Sequence, residues 1–234
     1  GTVSVDVSGK TIIPGLVDAH AHGPYGIDEL TPQQNWTDMV NLAMGVTTRH
    51  DPSSSAATVF PALDMQRAGL IVGPRTFSTG EIIYGAKAPD VYAQIDSLDD
   101  ARAHVRRLKA QGAHSIKNYN QPRREQRQQV VAAALEEGMR SVAEGGSLFG
   151  FDMTLIADGN TTIEHNVPLS TFYDDVLQFF SKSKTGYTPT LVVTYGGPAG
   201  DPYWRAHTEV WRHPLLQKHE PPGILNAANA RRQI

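Results

Sequence analysis

Seven short apolar runs, separated by stretches long enough for helices, constrain this chain more than any other feature. The runs fall at 12–18, 46–51, 75–79, 115–118, 141–144, 161–165 and 187–194, and they read as strands. The stretches at 36–44, 57–68, 98–111, 123–137, 152–157, 171–181 and 203–216 read as helices. Alternation of strand and helix implies parallel strands joined by helical crossovers. A (β/α)8 barrel and an open doubly wound sheet both satisfy that order. No Gly-rich phosphate loop follows the first strand, and candidate ligands recur at the C-terminal ends of several strands, where barrel sites are built. The expected fold class is therefore α/β, a (β/α)8 TIM-barrel type with seven strands visible and the eighth missing. Seven strands leave two open sheet edges, a pairing hazard. Homo-oligomer formation, or pairing with a missing C-terminal part of the same protein, is expected.

Local chemistry agrees with the helix positions. Gly45, Gly69, Gly112 and Gly138 each follow a helical pattern, where a left-handed C′ residue fits. Asp99 and Asp100 sit at the positive dipole end of helix 98–111. Ala101, Val105, Leu108 and Ala110 form its apolar stripe, with Arg102, Arg106, Arg107 and Lys109 outside. The Arg/Gln-rich stretch 123–129 reads as a solvated helix face.

Composition excludes several classes. A chain of 234 residues, 40% hydrophobic and 19% charged, can bury one barrel-sized core. Its net charge of -3, without a basic stripe, gives no case for nucleic acid. No run approaches the ~20 apolar residues of a membrane helix. The absence of cysteine excludes disulfides and thiolate metal sites. No basic segment followed by an apolar run opens the sequence, so no signal peptide is read here. Residues 1–7 read as the middle of a strand, which points to a fragment of a longer protein.

The chemistry starts at His20 and His22, after the lead-in Pro14-Gly15-Leu16-Val17-Asp18. In an extended strand, residues two apart share a side, so both imidazoles can reach one metal ion. Lys117 ends the fourth strand. A buried lysine loses affinity for its proton, and its neutral amine can react with carbon dioxide to give a carbamate with two ligating oxygens. The other reading is an unmodified Lys117 paired with Glu144, at the end of the fifth strand. Glu144 is itself a possible ligand of zinc or manganese. His165 ends the sixth strand, and alternation points its neighbour Glu164 away from the site. Tyr84, Tyr119 and Tyr195 follow strands three, four and seven, placed to contact substrate or an oxyanion. His50 ends the second strand and is a weaker pocket candidate; His104, His114, His207, His213 and His219 read as structural or exposed. Asn35-Trp36-Thr37 and Asn160-Thr161-Thr162 match the glycosylation pattern, which is common by chance.

Pro14–His22, Gly45-Val46-Thr47-Thr48, Ile116-Lys117, Glu164-His165 and Thr188-Pro189-Thr190-Leu191 resemble, in order and spacing, the metal-dependent amidohydrolase superfamily, in its imidazolonepropionase and prolidase-like branch. Gly145-Gly146-Ser147 and the run 22–30 are similar to a bacterial subgroup fused to Tol-type β-propellers, which implies a periplasmic or secreted parent. The resemblance implies a hydrolase of amide, dipeptide or cyclic amide bonds using one or two divalent ions, zinc first, then manganese or iron. His20, His22, Lys117 as a carbamate, Glu144 and His165 would be the ligands, with Lys117 and His165 at the reaction centre and a small molecule as substrate. It also implies that residues 1–11 end a small β-sandwich and 12–234 form an incomplete barrel. Two departures stand out: the superfamily has histidine where this chain has Glu144, and the eighth-strand Asp that activates water there is absent, which puts hydrolysis by the fragment in doubt. A non-catalytic metal-binding or scaffold barrel is the alternative.

Overall fold

A computed structural model of the protein describes residues 2–26, 30–87, 92–146, 148–191 and 207–229. The chain runs β1 (Leu16–Asp18), α1 (Trp36–Ala43), β2 (Val46–Asp51), α2 (Ala56–Arg67), β3 (Arg75–Ser78), β4 (Ile82–Tyr84) and β5 (Tyr92–Gln94). It continues α3 (Leu98–Gln111), β6 (Ser115–Asn118), α4 (Arg124–Glu136), β7 (Arg140–Glu144), α5 (Phe149–Ala157), β8 (Thr162–Glu164), α6 (Asp174–Ser183) and β9 (Gly186–Thr188). A 3-10 turn (Val210–Arg212), α7 (Pro214–His219) and α8 (Pro222–Asn229) follow.

All strand pairs are parallel. One sheet has the order β1-β2-β3 and the other β5-β4-β6-β7-β8-β9. The two meet where one strand changes partner. β3 pairs with β2, Gly80 takes φ 68°, and β4 then pairs with β6. His114 N donates to Ser78 O at 3.1 Å across the junction. The wall is that of a partial TIM-type barrel, as expected from the alternation. No helix among the described residues is long and apolar enough to cross a membrane.

Helix α3 shows how local sequence sets an element. Ser97 Oγ accepts from Asp100 N, and Asp100 Oδ2 accepts from Ser97 N, a reciprocal box that satisfies two orphan donors. Gly112 closes the other end at φ 109°, which a side chain would resist. Ala101, Val105 and Leu108 are fully buried against the sheet and its neighbours. Ala110 is exposed, contrary to its expected place on the stripe: it falls two residues beyond Leu108, where the helix has turned outward.

Four other expectations are corrected. The first strand begins at Leu16, not residue 12: Pro14 has no N–H for a ladder, and the pairing with β2 starts at Leu16 opposite Val46. The face at 123–129 is not wholly solvated: Gln126 and Arg127 are buried between α4 and the elements beneath it. The helix expected at 203–216 is divided, with 203–206 outside the described residues and Pro214 starting α7 afresh. The strand expected at 187–194 is short, and 192–194 lie outside the described residues.

A buried polar lock ties the first helix to the wall. Arg49 donates to Asp38 of α1 through Nη2 and to Thr76 of β3 through Nε at 2.8 Å, while its guanidinium lies 5.0 Å from the Tyr25 ring centroid. Asn35, the first acceptor candidate, caps α1 while buried, and Asn160 is buried under the sheet; both amides are hydrogen-bonded, so neither is presented for glycosylation.

Candidate functional site

The C-terminal strand ends gather the expected residues into two linked clusters. His20 and His22 follow β1. His20 Nε2 and His22 Nε2 face each other at 3.2 Å. Each ring is gripped on its other nitrogen: His20 Nδ1 is 2.6 Å from Glu164 Oε2, and His22 Nδ1 is 3.3 Å from Asp51 Oδ1. His20 is nearly buried, whereas the His22 side chain is 52% exposed, so the point between them is open to solvent. The hydrogen bond to Asp51 raises the affinity of His22 for its proton, against the effect of burial.

The second cluster is Lys117, Glu144 and His165. Lys117 is 2% exposed, and its Nζ lies 2.5 Å from Glu144 Oε2, as an ion pair rather than an aligned hydrogen bond. Glu144 Oε1 accepts from His165 Nε2 at 2.8 Å. Burial alone would push the Glu144 carboxyl up, but His165 and Lys117 together hold it at about 2, ionised at neutral pH. His165 Nδ1 meets Thr190 Oγ1 at 3.1 Å. The His20 and His165 rings, 4.8 Å apart, join the two clusters.

Glu164 was expected to point away from this site and does not. It is buried facing His20, with Thr162 Oγ1 donating to its other oxygen at 2.8 Å. Strand alternation does not extend here, because His165 lies beyond the end of β8. At φ 71° it takes a left-handed conformation, and the turn brings its ring back over the barrel mouth beside Glu164. Asp51 is a further residue of the site, next to His50, the weaker pocket candidate. His50 Nε2 reaches Ser115 Oγ at 2.7 Å, and burial lowers its affinity for a proton. Asp51 is fully buried and takes Ser53 N and Ser54 Oγ besides His22. A strand-end Asp immediately after His50 was the available signal.

The donor set fits a cation at one half of the site. Two imidazole nitrogens on one tetrahedral zinc, each about 2.0–2.1 Å from it, lie about 3.3 Å apart, close to the spacing here. Two nitrogen lone pairs facing each other repel unless a cation or proton sits between them. Among the described residues no group of three or more His, Cys, Asp or Glu side chains is arranged to hold a metal ion. The reason is visible in the pairing. Asp51 and Glu164 sit on the far edges of their histidines, and Glu144 and His165 close on each other. Tyr84 and Tyr119 stand edge to face at 5.5 Å, at the ends of the strands that carry and flank Lys117. Tyr195 lies outside the described residues.

The loop behind Glu144 leaves no room for change. A Cβ on Gly145 would come within 2.6 Å of Ile163 Cγ2 and 2.8 Å of Glu164 O, so β7 and β8 close only over glycine. Below it, Asp152 Oδ1 accepts from Gly146 N at 3.1 Å, and Oδ2 is buried without a partner. Burial pushes the Asp152 carboxyl up to about 6, against that hydrogen bond. The folded protein therefore holds this proton to higher pH than the unfolded chain, and stability falls as pH rises from 3.8 to about 6. Asp152→Asn is expected to flatten that segment and raise the thermal midpoint at neutral pH. Thermal unfolding at both ends of the window checks this, and a lower midpoint for the variant at neutral pH would contradict it.

No protein-family model matches the chain, and no curated protein matches it. Solved structures do. A Xaa-Pro dipeptidase with bound methionine in its active site matches with TM-score 0.62 and 21% identity, over 99% of this chain and 64% of that one. A putative prolidase from Bifidobacterium longum matches with TM-score 0.60 and 25% identity, over 76% of this chain and 47% of that one. Bottromycin amidohydrolase matches with TM-score 0.57 and 19% identity, over 93% and 52%. The chain thus has an amidohydrolase-type fold, as its sequence resemblance implies, and spans about half to two thirds of the length of these structures.

Proposed function

We propose that this chain carries the metal-binding part of a hydrolase that cleaves a carbon–nitrogen bond in an amide, dipeptide or cyclic amide. The observation that supports it is the convergence of His20 Nε2 and His22 Nε2 at 3.2 Å at the barrel mouth. The names of the matched structures, a dipeptidase, a prolidase and an amidohydrolase, favour the same bond type. His20 and His22 would hold one divalent ion, with zinc first and manganese or iron as the other candidates. Such an ion polarises a carbonyl and lets water lose its proton near neutral pH.

The remaining residues act around that point. Lys117, as a carbamate, and His165 would face a second ion, with Glu144 released to join them. Tyr84 and Tyr119 would line the substrate's path and offer hydroxyls to the developing oxyanion, and Tyr195 is assigned the same role from its place after the seventh strand. Residues 1–11, with Val3, Val5 and Val7 alternating, would belong to a small β-sandwich.

A second reading of Lys117 is favoured by its 2.5 Å contact with Glu144. In it the lysine stays cationic, His165 stays bound to Glu144, and the barrel holds one ion as a non-catalytic or scaffold domain. Hydrolysis of a panel of dipeptides and N-acyl amino acids, lost on chelation and restored by zinc or manganese, is expected from the first reading. Metal binding without hydrolysis would favour the second.

A further inference from the structure

The two histidines converge only because each is held in one protonation pattern. An ionised carboxylate and a backbone carbonyl accept hydrogen bonds and never donate them. His20 Nδ1 faces Glu164 Oε2 at 2.6 Å. His22 Nδ1 faces Asp51 Oδ1 and Ser53 O, both at 3.3 Å. Both Nδ1 atoms must therefore carry the proton, and a neutral ring then presents a bare Nε2. Neither carboxylate is free to swing away. Glu164 Oε1 takes the Thr162 hydroxyl at 2.8 Å, and Asp51 takes Ser53 N at 2.9 Å and the Ser54 hydroxyl at 2.6 Å. Both carboxylates are buried, with Asp51 at 0% and Glu164 at 2% exposure.

We propose that Asp51 and Glu164 are positioning residues that lock His22 and His20 in the Nδ1–H tautomer and aim both Nε2 lone pairs at one cation, an assignment that rests on the metal reading above. The two come from different sheets of the described barrel wall, Asp51 from the strand beside β1 and Glu164 from the strand beside β9. Asp51 ends β2, the neighbour of β1, whereas Glu164 ends β8, so the His20 half of the lock forms only when the wall has closed far enough to bring β8 to β1. Outer partners of this kind set ring orientation and ligand basicity, and losing one typically weakens metal binding about 10–100-fold. Glutamine or asparagine in these places preserves shape, but an amide can donate as well as accept, so the tautomer is no longer dictated.

The experiment has two independent readouts on the whole chain. Long-range proton–nitrogen NMR of the metal-free protein at mildly alkaline pH reads the tautomers of His20 and His22. Competition with a chelating dye reads zinc affinity. Wild type is expected to show Nδ1–H in both rings. Glu164→Gln and Asp51→Asn are expected to show mixed tautomers at the facing histidine and about 10–100-fold weaker zinc binding. An Nε2–H tautomer at His20 or His22 in wild type would overturn the assignment, whatever the variants do. So would variants with unchanged tautomers and wild-type affinity. If wild type binds no zinc yet shows Nδ1–H in both rings, the lock stands and the metal reading fails.

Discussion

Asp158→Ala is expected to destabilise the protein by about 3–5 kcal/mol, the cost of leaving a buried charge without its partner. Asp158 and Arg127 are nearly buried, at 1% and 3% side-chain exposure. Arg127 Nε and Nη2 both reach Asp158 Oδ2 at 2.9 Å, and Nη2 also donates to Thr154 Oγ1. The guanidinium lies 4.6 Å from the Phe151 ring centroid. Arg124 and Gln128 complete the shell on Asp158 Oδ1. Removing the carboxylate strands Arg127 between α4 and α5. At 2–4 °C per kcal/mol for a chain of this size, the thermal midpoint should fall by about 6–20 °C. Denaturant unfolding gives the free energy directly. Arg127→Met combined with Asp158→Leu should recover most of the loss, because a packed apolar pair replaces a buried ion pair at little cost. A loss below about 1 kcal/mol for Asp158→Ala would place the network among surface pairs instead.

The second large effect concerns the histidine pair. His20→Ala and His22→Ala are each expected to weaken zinc or manganese binding by more than about 100-fold, beyond what loss of an outer partner does. The two should differ in stability. His20 is packed against Glu164 and the His165 ring, so its removal leaves a buried carboxylate with only Thr162 as partner. His22 is half-exposed, so its removal should cost little folding energy while abolishing the site. Affinity by chelator competition and unfolding of the same variants separate the effects. His22→Ala binding metal as tightly as wild type would contradict the arrangement.

Much of the wall was legible because its signals are local. The strands at 46–51 and 115–118 and the helix at 98–111 have the expected limits, the last because Ser97, Asp100 and Gly112 carry its caps in sequence. β4 and β5 were not legible. Each has three residues, too few for periodicity, and β4 exists because the chain bends at Gly80 and changes partner. Arg127 looked like surface because composition reports charge, whereas its burial depends on Asp158, 31 residues away.

The site divides in the same way. His20 and His22 were readable from strand spacing alone, since a period of two puts both on one side. Their partners were not. Glu164 lies 144 residues from His20, and its inward placement depends on a left-handed backbone at His165 that no strand pattern encodes. The Lys117–Glu144 contact was anticipated as one of two readings, because a buried cation at a strand end needs either neutralisation or modification.

Bound metal per chain, measured by native mass spectrometry after reconstitution with zinc or manganese and bicarbonate, tests the central claim most directly. At least one equivalent is expected in wild type and none in the His20→Ala/His22→Ala double variant. A wild-type chain that stays folded and binds no metal, or a double variant that binds as much as wild type, would contradict it.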